Sequence, residues 1–395
     1  MKKSLFAMLI LSLLHYSSSA QKPDVRKAFQ QAEAQTLLLL KEITLSKAEN
    51  KKPELVSPRT LEQGKLKLVA SKDWTSGFFA GELWFLYEQS HNADWMKLAR
   101  IYSEVIEKEK TNGITHDMGF KIYCSIGAGY RLTKDPRYKQ ILIESATTLS
   151  KRFSPVTGVI RSWDHNQDKW QNPVIIDNMM NLELLFEATR LSGDSSFFKI
   201  AVSHANTTLK NHFRKDFSSY HVIDYDPKTG AVLKKNTHQG YSHESAWARG
   251  QAWALYGYAM CYRYTRDPAY LKQAEHVADF LLNHPRLPKD LVPYWDFDAP
   301  GIPSEPRDAS AAAIIASGLY ELSGYSKNEQ RYRKKADIML YSLSTKYTSG
   351  NGSNRGFILD HSTGSKPSNS EVDVPISYAD YYYLEALLRY KSLTK

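Results

Sequence analysis

Five polar corners, each set between an apolar stretch and a fresh amphipathic one, constrain this chain more than any other feature. They read YEQSHNADWMKLA (Tyr87 to Ala99), YRLTKDPRYKQIL (Tyr130 to Leu142), TRLSGDSSFFKIA (Thr189 to Ala201), YRYTRDPAYLKQA (Tyr262 to Ala274) and YELSGYSKNEQRYRKKA (Tyr320 to Ala336). In the first four an aspartate (Asp94, Asp135, Asp194 or Asp267) opens the second stretch, and an aromatic follows within about one turn. Pro136 and Pro268 add a residue that suits the first helical position and cannot continue a preceding helix. Each corner is therefore a stop-and-restart signal that closes a helical hairpin.

Reading outward from the corners, the pattern predicts helices over 25–48, 75–90, 94–109, 118–133, 136–153, 178–192, 194–212, 244–265, 268–283, 308–323, 328–347 and 377–392. Strand signals are weak and confined to 158–176 and 218–235. The odd-numbered helices, such as YKQILIESATTLSKRF, carry one charged face. Even-numbered ones, such as ASAAAIIASGLYEL and GFFAGELWFLYE, are small, apolar and aromatic almost all round. Alternation of outer and inner helices makes the expected fold all-α, an (α/α)6 toroid of six helical hairpins. In it the tight corners share one face, and the six inner-helix N-termini converge on the other.

The stretch from Tyr241 to Arg266 is the clearest inner helix, with capping expected from Ser242 or His243 and Arg263 and Arg266 at its end. It buries Arg249 and Gln251. Polar groups that deep need partners, and a ligand can supply them where the protein does not.

At the N-terminus Lys2 and Lys3 precede an apolar run, Leu5 to Leu14, and Ser18, Ser19 and Ala20 offer a small-x-small cleavage site. This predicts a secretory signal over residues 1–20, a single catalytic domain over 21–395, and export to the bacterial periplasm. The apolar run is too short to span a bilayer and no later stretch would, so no membrane span is expected. Basic residues exceed acidic ones, 52 to 42, yet no arginine-rich stripe or nucleic-acid motif accompanies them. Nucleic acid is thus not an expected partner. Cys124 and Cys261 fall within buried helices and read as free core thiols. The twelve histidines include no HExxH pair, and neither Gly-x-Ser-x-Gly nor a phosphate-binding glycine loop occurs, so no metal or other cofactor is expected.

The entries to the inner helices hold Asp73-Trp74, His116-Asp117, Asp177-Asn178, Ser242-His243-Glu244, Arg307-Asp308 and Tyr378-Ala379-Asp380. An aspartate there is first of all a cap, contributing about 1 kcal/mol. Capping does not call for Trp74, His116, Asn178 and Arg307 beside it. Carboxyl groups among aromatics and cations suit hydrolysis of a glycosidic linkage, in which a carboxylic acid donates a proton while planar groups hold the sugar. Asp117 and Asp177 are the best pair, each set among apolar neighbours. Burial would raise a carboxyl pKa there and a helix N-terminus would lower it.

The combination of DWTSGFFAG (Asp73 to Gly81), THDMGF (Thr115 to Phe120), IIDNMMN (Ile175 to Asn181), THQGYS (Thr237 to Ser242), WARGQAWALYG (Trp247 to Gly257), PRDASAAA (Pro306 to Ala313) and YADYYYLEAL (Tyr378 to Leu387) resembles the unsaturated glucuronyl hydrolases, glycoside hydrolase family 88. That resemblance implies an (α/α)6 fold and an exo-acting hydrolase. Its substrate is a lyase-generated oligosaccharide of glycosaminoglycan type, ending in a 4,5-unsaturated uronic acid. By the same resemblance Asp177 is the acid/base and Asp117 assists it, while Trp74, Phe78, His116, Trp163, His221, Gln239, Trp247, Arg249 and Trp253 contact substrate. Arg249 or Gln239 would face the uronate carboxylate, and Ser365 and Lys366, in an otherwise solvated loop, would lie near the next sugar. Other readings keep the scaffold: an unsaturated rhamnogalacturonyl hydrolase acting on pectin fragments, an inverting glycosidase of saturated sugars, and a non-catalytic glycan-binding protein.

Overall fold

The structure, a computed structural model, describes residues 22–394, so the signal expected over 1–20 lies outside the described residues. Its frame is a double ring of helices. The inner ring is α2 (Phe78–Ser90), a π-helix (Gly119–Gly127) continued by α4 (Ala128–Thr133), α6 (Asn178–Ser192), α8 (Ala248–Thr265), α10 (Ala309–Ser323) and α12 (Ser377–Leu393). Each packs on the next, and α12 packs back on α2, which closes the ring. Outside them stand α3 (Ala93–Glu104), α5 (Pro136–Ser150), α7 (Ser195–Asn211), α9 (Pro268–Asn283) and α11 (Glu329–Lys346). The sixth pair unites the chain ends, with α1 (Val25–Asn50) against α12 and α2. This is the (α/α)6 toroid, and every residue of α10 is buried in it.

Local chemistry explains the corners. Four inner helices end on a left-handed residue, His91, Lys134, Gly193 or Arg266, whose N–H closes the last turn. The next residue but none caps the following helix: Asp135, Asp194 and Asp267 each accept a backbone N–H through the side chain. In the first corner Asn92 is the cap, and Asp94 lies inside the first turn. Asn92 does the same work there because it alone directly follows the left-handed residue.

Helix starts on the opposite face differ from expectation. α8 begins at Ala248, beyond Ser242 and His243, and neither side chain caps it. Its entry is instead held by a neighbouring loop: Ala248 N–H donates to Trp295 O, and Ala246 N–H to Asp298. α2 begins at Phe78 rather than 75. The fourth helix starts as a π-helix because Phe120 N–H donates to Asn181 Oδ1 at 3.0 Å, and Gly119 lies directly against Asn181.

Short antiparallel sheets build the loop face. The two weak strand regions appear as β4 (Val159–Ile160), paired with β3 (Phe153–Ser154), and as β5 (Pro173–Ile175), β6 (Val222–Tyr225) and β7 (Val232–Asn236). Two hairpins have no counterpart in the sequence reading: β1 (Leu55–Glu62) with β2 (Lys65–Ala70), and β8 (Ser362–Ser365) with β9 (Ser370–Val374). The latter replaces the expected solvated loop, with Ser362 and Thr363 buried. Cys124 and Cys261 are free and buried. No helix among the described residues is long and apolar enough to cross a membrane.

Candidate active site

The inner-helix entries meet around Asp177. It occupies the N-cap position of α6, yet its side chain makes no capping hydrogen bond. Its Oδ2 is buried with no partner, 3.8 Å from His221 Nε2. Burial pushes its carboxyl up to about 7, against the pull of the Arg249 charge and with a smaller push from Asp117. Burial wins over the helix terminus.

His221 faces this carboxyl in a determined state. Its Nδ1 accepts the N–H groups of His238 and Gln239, both at 3.1 Å, so the ring proton belongs on Nε2, the nitrogen turned to Asp177. Burial, with the His238 and Arg249 charges, holds its pKa well below the ordinary value, so the ring is neutral.

Asp117 is built the opposite way. Oδ2 accepts from Thr115 Oγ1 at 2.6 Å, and Oδ1 lies 3.3 Å from His116 Nε2. Asn181 Oδ1 is occupied by Phe120 N–H, which turns the Asn181 amide nitrogen to His116 Nδ1 and leaves His116 Nε2–H for Asp117. Burial lowers the His116 pKa, with the Asp117 charge opposing.

Aromatic side chains wall the cup. Trp74 is half-buried and packs on Tyr378 and Phe120, at centroid distances of 5.0 and 5.5 Å. Phe78 is wholly buried behind it. Trp253 is also buried, on Phe120, and its Nε1–H has no partner. Trp163 is joined to the Asp117 turn through the Thr115–Trp163 bridge, and it packs with Trp170, His165 and His238. Trp247 lies 4.5 Å from the His221 ring and beneath the Arg249 guanidinium.

The groups expected to bind substrate also have protein partners. Arg249 is answered by the protein: it pairs with Asp308 at 3.0 Å and donates to Thr363 O and Gly364 O. Gln251 is likewise satisfied by Ser219 and Trp247 O. Gln239 Nε2 donates to Gly364 O at 3.1 Å. Ser365 Oγ bonds to Ser368, and Lys366 to Glu305. Arg307 turns away from the cup toward Asp290.

Sequence reasoning gave no site role to Asn181, Trp170 or His238, and named Tyr378 only as part of a helix entry. Asn181 had a signal, one helical turn after Asp177 on the same face; Tyr378 lies in the first turn of α12, and Trp170 and His238 are set by loop packing. Unpartnered buried atoms gather here: Asp177 Oδ2, His221 Nε2, Asn178 Oδ1, Trp253 Nε1 and Tyr378 OH. Such a cluster is what a polar ligand completes. By contrast, a cavity of about 270 Å³ at the tight-corner end has its charges answered internally, with Arg263 and Arg389 against Glu183, Glu321 and Glu385. Among the described residues no group of three His, Cys, Asp or Glu side chains is placed to hold a metal ion.

A helical toroid with a protonatable carboxyl in an aromatic cup defines a carbohydrate-active enzyme. Residues 48–391 match the model of Glycosyl Hydrolase Family 88. The chain is 54% identical over 327 residues to the unsaturated glucuronyl hydrolase of Formosa agariphila, covering 82% of each. It is 34% identical to the unsaturated chondroitin disaccharide hydrolase of Streptococcus pneumoniae, over 86% of this chain and 87% of the relative. Among solved structures, an unsaturated glucuronyl hydrolase specific for heparin matches with a TM-score of 0.87 at 46% identity, over 94% of this chain and 97% of that one. The chain belongs to glycoside hydrolase family 88.

Proposed function

We propose that this enzyme removes a 4,5-unsaturated uronic acid from the non-reducing end of lyase-generated glycosaminoglycan oligosaccharides. The observation that carries the reading is Asp177: a buried carboxyl at a helix entry, raised to about 7, with an oxygen left free for a ligand. Asp177 donates its proton to C4 of the enol ether, and positive charge develops at C5 and the ring oxygen. Water adds at C5 and returns a proton to Asp177. The hemiketal at C5 then opens to a ketone as the C5–ring oxygen bond breaks, and the hemiacetal left at C1 releases the neighbouring sugar. Asp117, fixed by Thr115 and His116, orients the ring and favours the developing positive charge. Trp74 and Trp163 flank the sugar, and neutral His221 presents its Nε2–H 3.8 Å from Asp177 Oδ2.

The reading is supported by relatives named for unsaturated glucuronyl and chondroitin disaccharide substrates. Incubation with lyase-generated heparin, chondroitin and pectin disaccharides tests it. The expected result is loss of the alkene's ultraviolet absorbance with glycosaminoglycan products. Turnover of pectin fragments alone would favour the rhamnogalacturonyl alternative, and absorbance that persists throughout would remove the proposal. Export to the bacterial periplasm belongs to the same reading, supported by the charged and apolar pattern of residues 1–20. Cell fractionation with N-terminal sequencing of the mature chain checks it.

A further inference from the structure

We propose that Arg59, on β1, is a positioning residue for the sugar cup, holding its aromatic wall and its hairpin rim in one frame. Arg59 is the only side chain in this network that reaches both. Its Nε and one terminal nitrogen grip the two oxygens of Glu371 on β9, the second bond at 2.9 Å, and its other terminal nitrogen donates to Asp73 Oδ2 at 2.9 Å. The planar fork suits this three-way grip, which the point charge of a lysine cannot reproduce.

Each end of the grip leads to the cup. Asp73 Oδ1 accepts both the N–H and the hydroxyl of Thr75, at 2.9 and 2.7 Å, and so fixes the turn that presents Trp74. Glu371 is a non-glycine residue with φ of 56°, a conformation that persists only where its surroundings enforce it. Its carboxylate lies across Gly364, where an added Cβ would come within 2.5 Å of Oε2. The carbonyl of that same Gly364 accepts from Arg249, at 2.6 Å, and from Gln239, at 3.1 Å. Hydrogen bonds therefore run from the Trp74 turn through Asp73 and Arg59 to Glu371, whose carboxylate packs against Gly364, and resume from Gly364 O to Gln239, whose N–H donates to His221. Glu371 is almost fully buried, with 6% side-chain exposure.

Arg59 does not touch the reacting atoms, so its loss loosens walls that hold the sugar alike in the ground and transition states. The effect belongs in KM more than in kcat. This inference rests on the sugar-cup reading above, and the assay separates the two. Steady-state kinetics on one lyase-generated unsaturated disaccharide would compare Arg59→Ala, Arg59→Lys, Glu371→Gln, Arg59→Ala/Glu371→Gln and Asp177→Asn, with thermal unfolding as the check on folding. Expected are a roughly tenfold rise in KM for Arg59→Ala with kcat within about threefold, a smaller rise for Arg59→Lys, and a double variant no worse than Arg59→Ala alone. A KM within about twofold of wild type in folded Arg59→Lys and Glu371→Gln, or single effects that simply add, would overturn the inference. If Arg59→Ala does not fold, those two milder variants decide. Asp177→Asn that retained turnover would instead overturn the reading of the cup itself.

Discussion

Asp177 and Asp308 occupy the same place in the toroid, the N-cap of an inner helix on the loop face, and do opposite things. Asp308 uses its oxygens fully: Oδ1 caps α10 through the N–H groups of Ser310 and Ala311, and Oδ2 pairs with Arg249 at 3.0 Å. Asp177 caps nothing and keeps a buried oxygen unpartnered. A carboxylate that completes its surroundings holds the fold together. One that is left incomplete is available for chemistry, and the protein bears the cost of keeping it so.

The largest expected effect separates the two on activity. Asp177→Asn keeps the shape but has no proton to give, and should lower kcat by roughly 10³-fold with folding intact. A loss under about tenfold would break the assignment. Asp308→Ala should act on stability, because it strands the buried Arg249 charge; a loss of about 3–5 kcal/mol is expected in urea unfolding.

The third expectation reverses the usual sign. Asp177 has a folded pKa of about 7 against an ordinary 3.8, so the folded state holds the proton more tightly than the unfolded one. Stability is therefore lost as pH rises from about 4 through 7. Asp177→Asn removes that penalty and should be more stable than wild type at pH 8, by on the order of 2–4 kcal/mol, with no such gain near pH 4. The same proton limits turnover: kcat should fall about tenfold per unit on the alkaline side of pH 7, since only the protonated acid can act. Retention of full activity two units higher would show that another group is the acid. The smallest effect calibrates the comparison with an exposed cap. Asp267→Ala should cost about 1 kcal/mol, and Asp94→Ala less than about 0.5, because Asn92 caps that corner.

The corners and the cup were not equally legible. Four of the five corners are local events, a left-handed residue followed at once by an Asn or Asp cap, so adjacent residues disclose them; the fifth ends on right-handed Gly324, and Asn328 makes no side-chain cap there. Asp117 and Asp177 could be picked out because each stands at a helix entry among apolar neighbours. Arg249 was also seen to be buried, but its partners, Asp308, Thr363 and Gly364, lie 59 to 115 residues away, and no local pattern announces them. The hairpin of β1 and β2 escaped for a related reason. Its strand residues alternate poorly, and it exists through β9 and α12, as in the Thr60 hydroxyl bond to Pro375 O.

By itself the chain determined the helices, their order, which ones lie inside, and the face where their N-termini gather, because apolar periodicity and caps act over one or two turns. Only the tertiary structure decided which aspartate at those termini would be left wanting a partner. That depends on desolvation and on hydrogen-bond donors brought from distant loops, and the free energy of a buried carboxyl is set by everything that surrounds it.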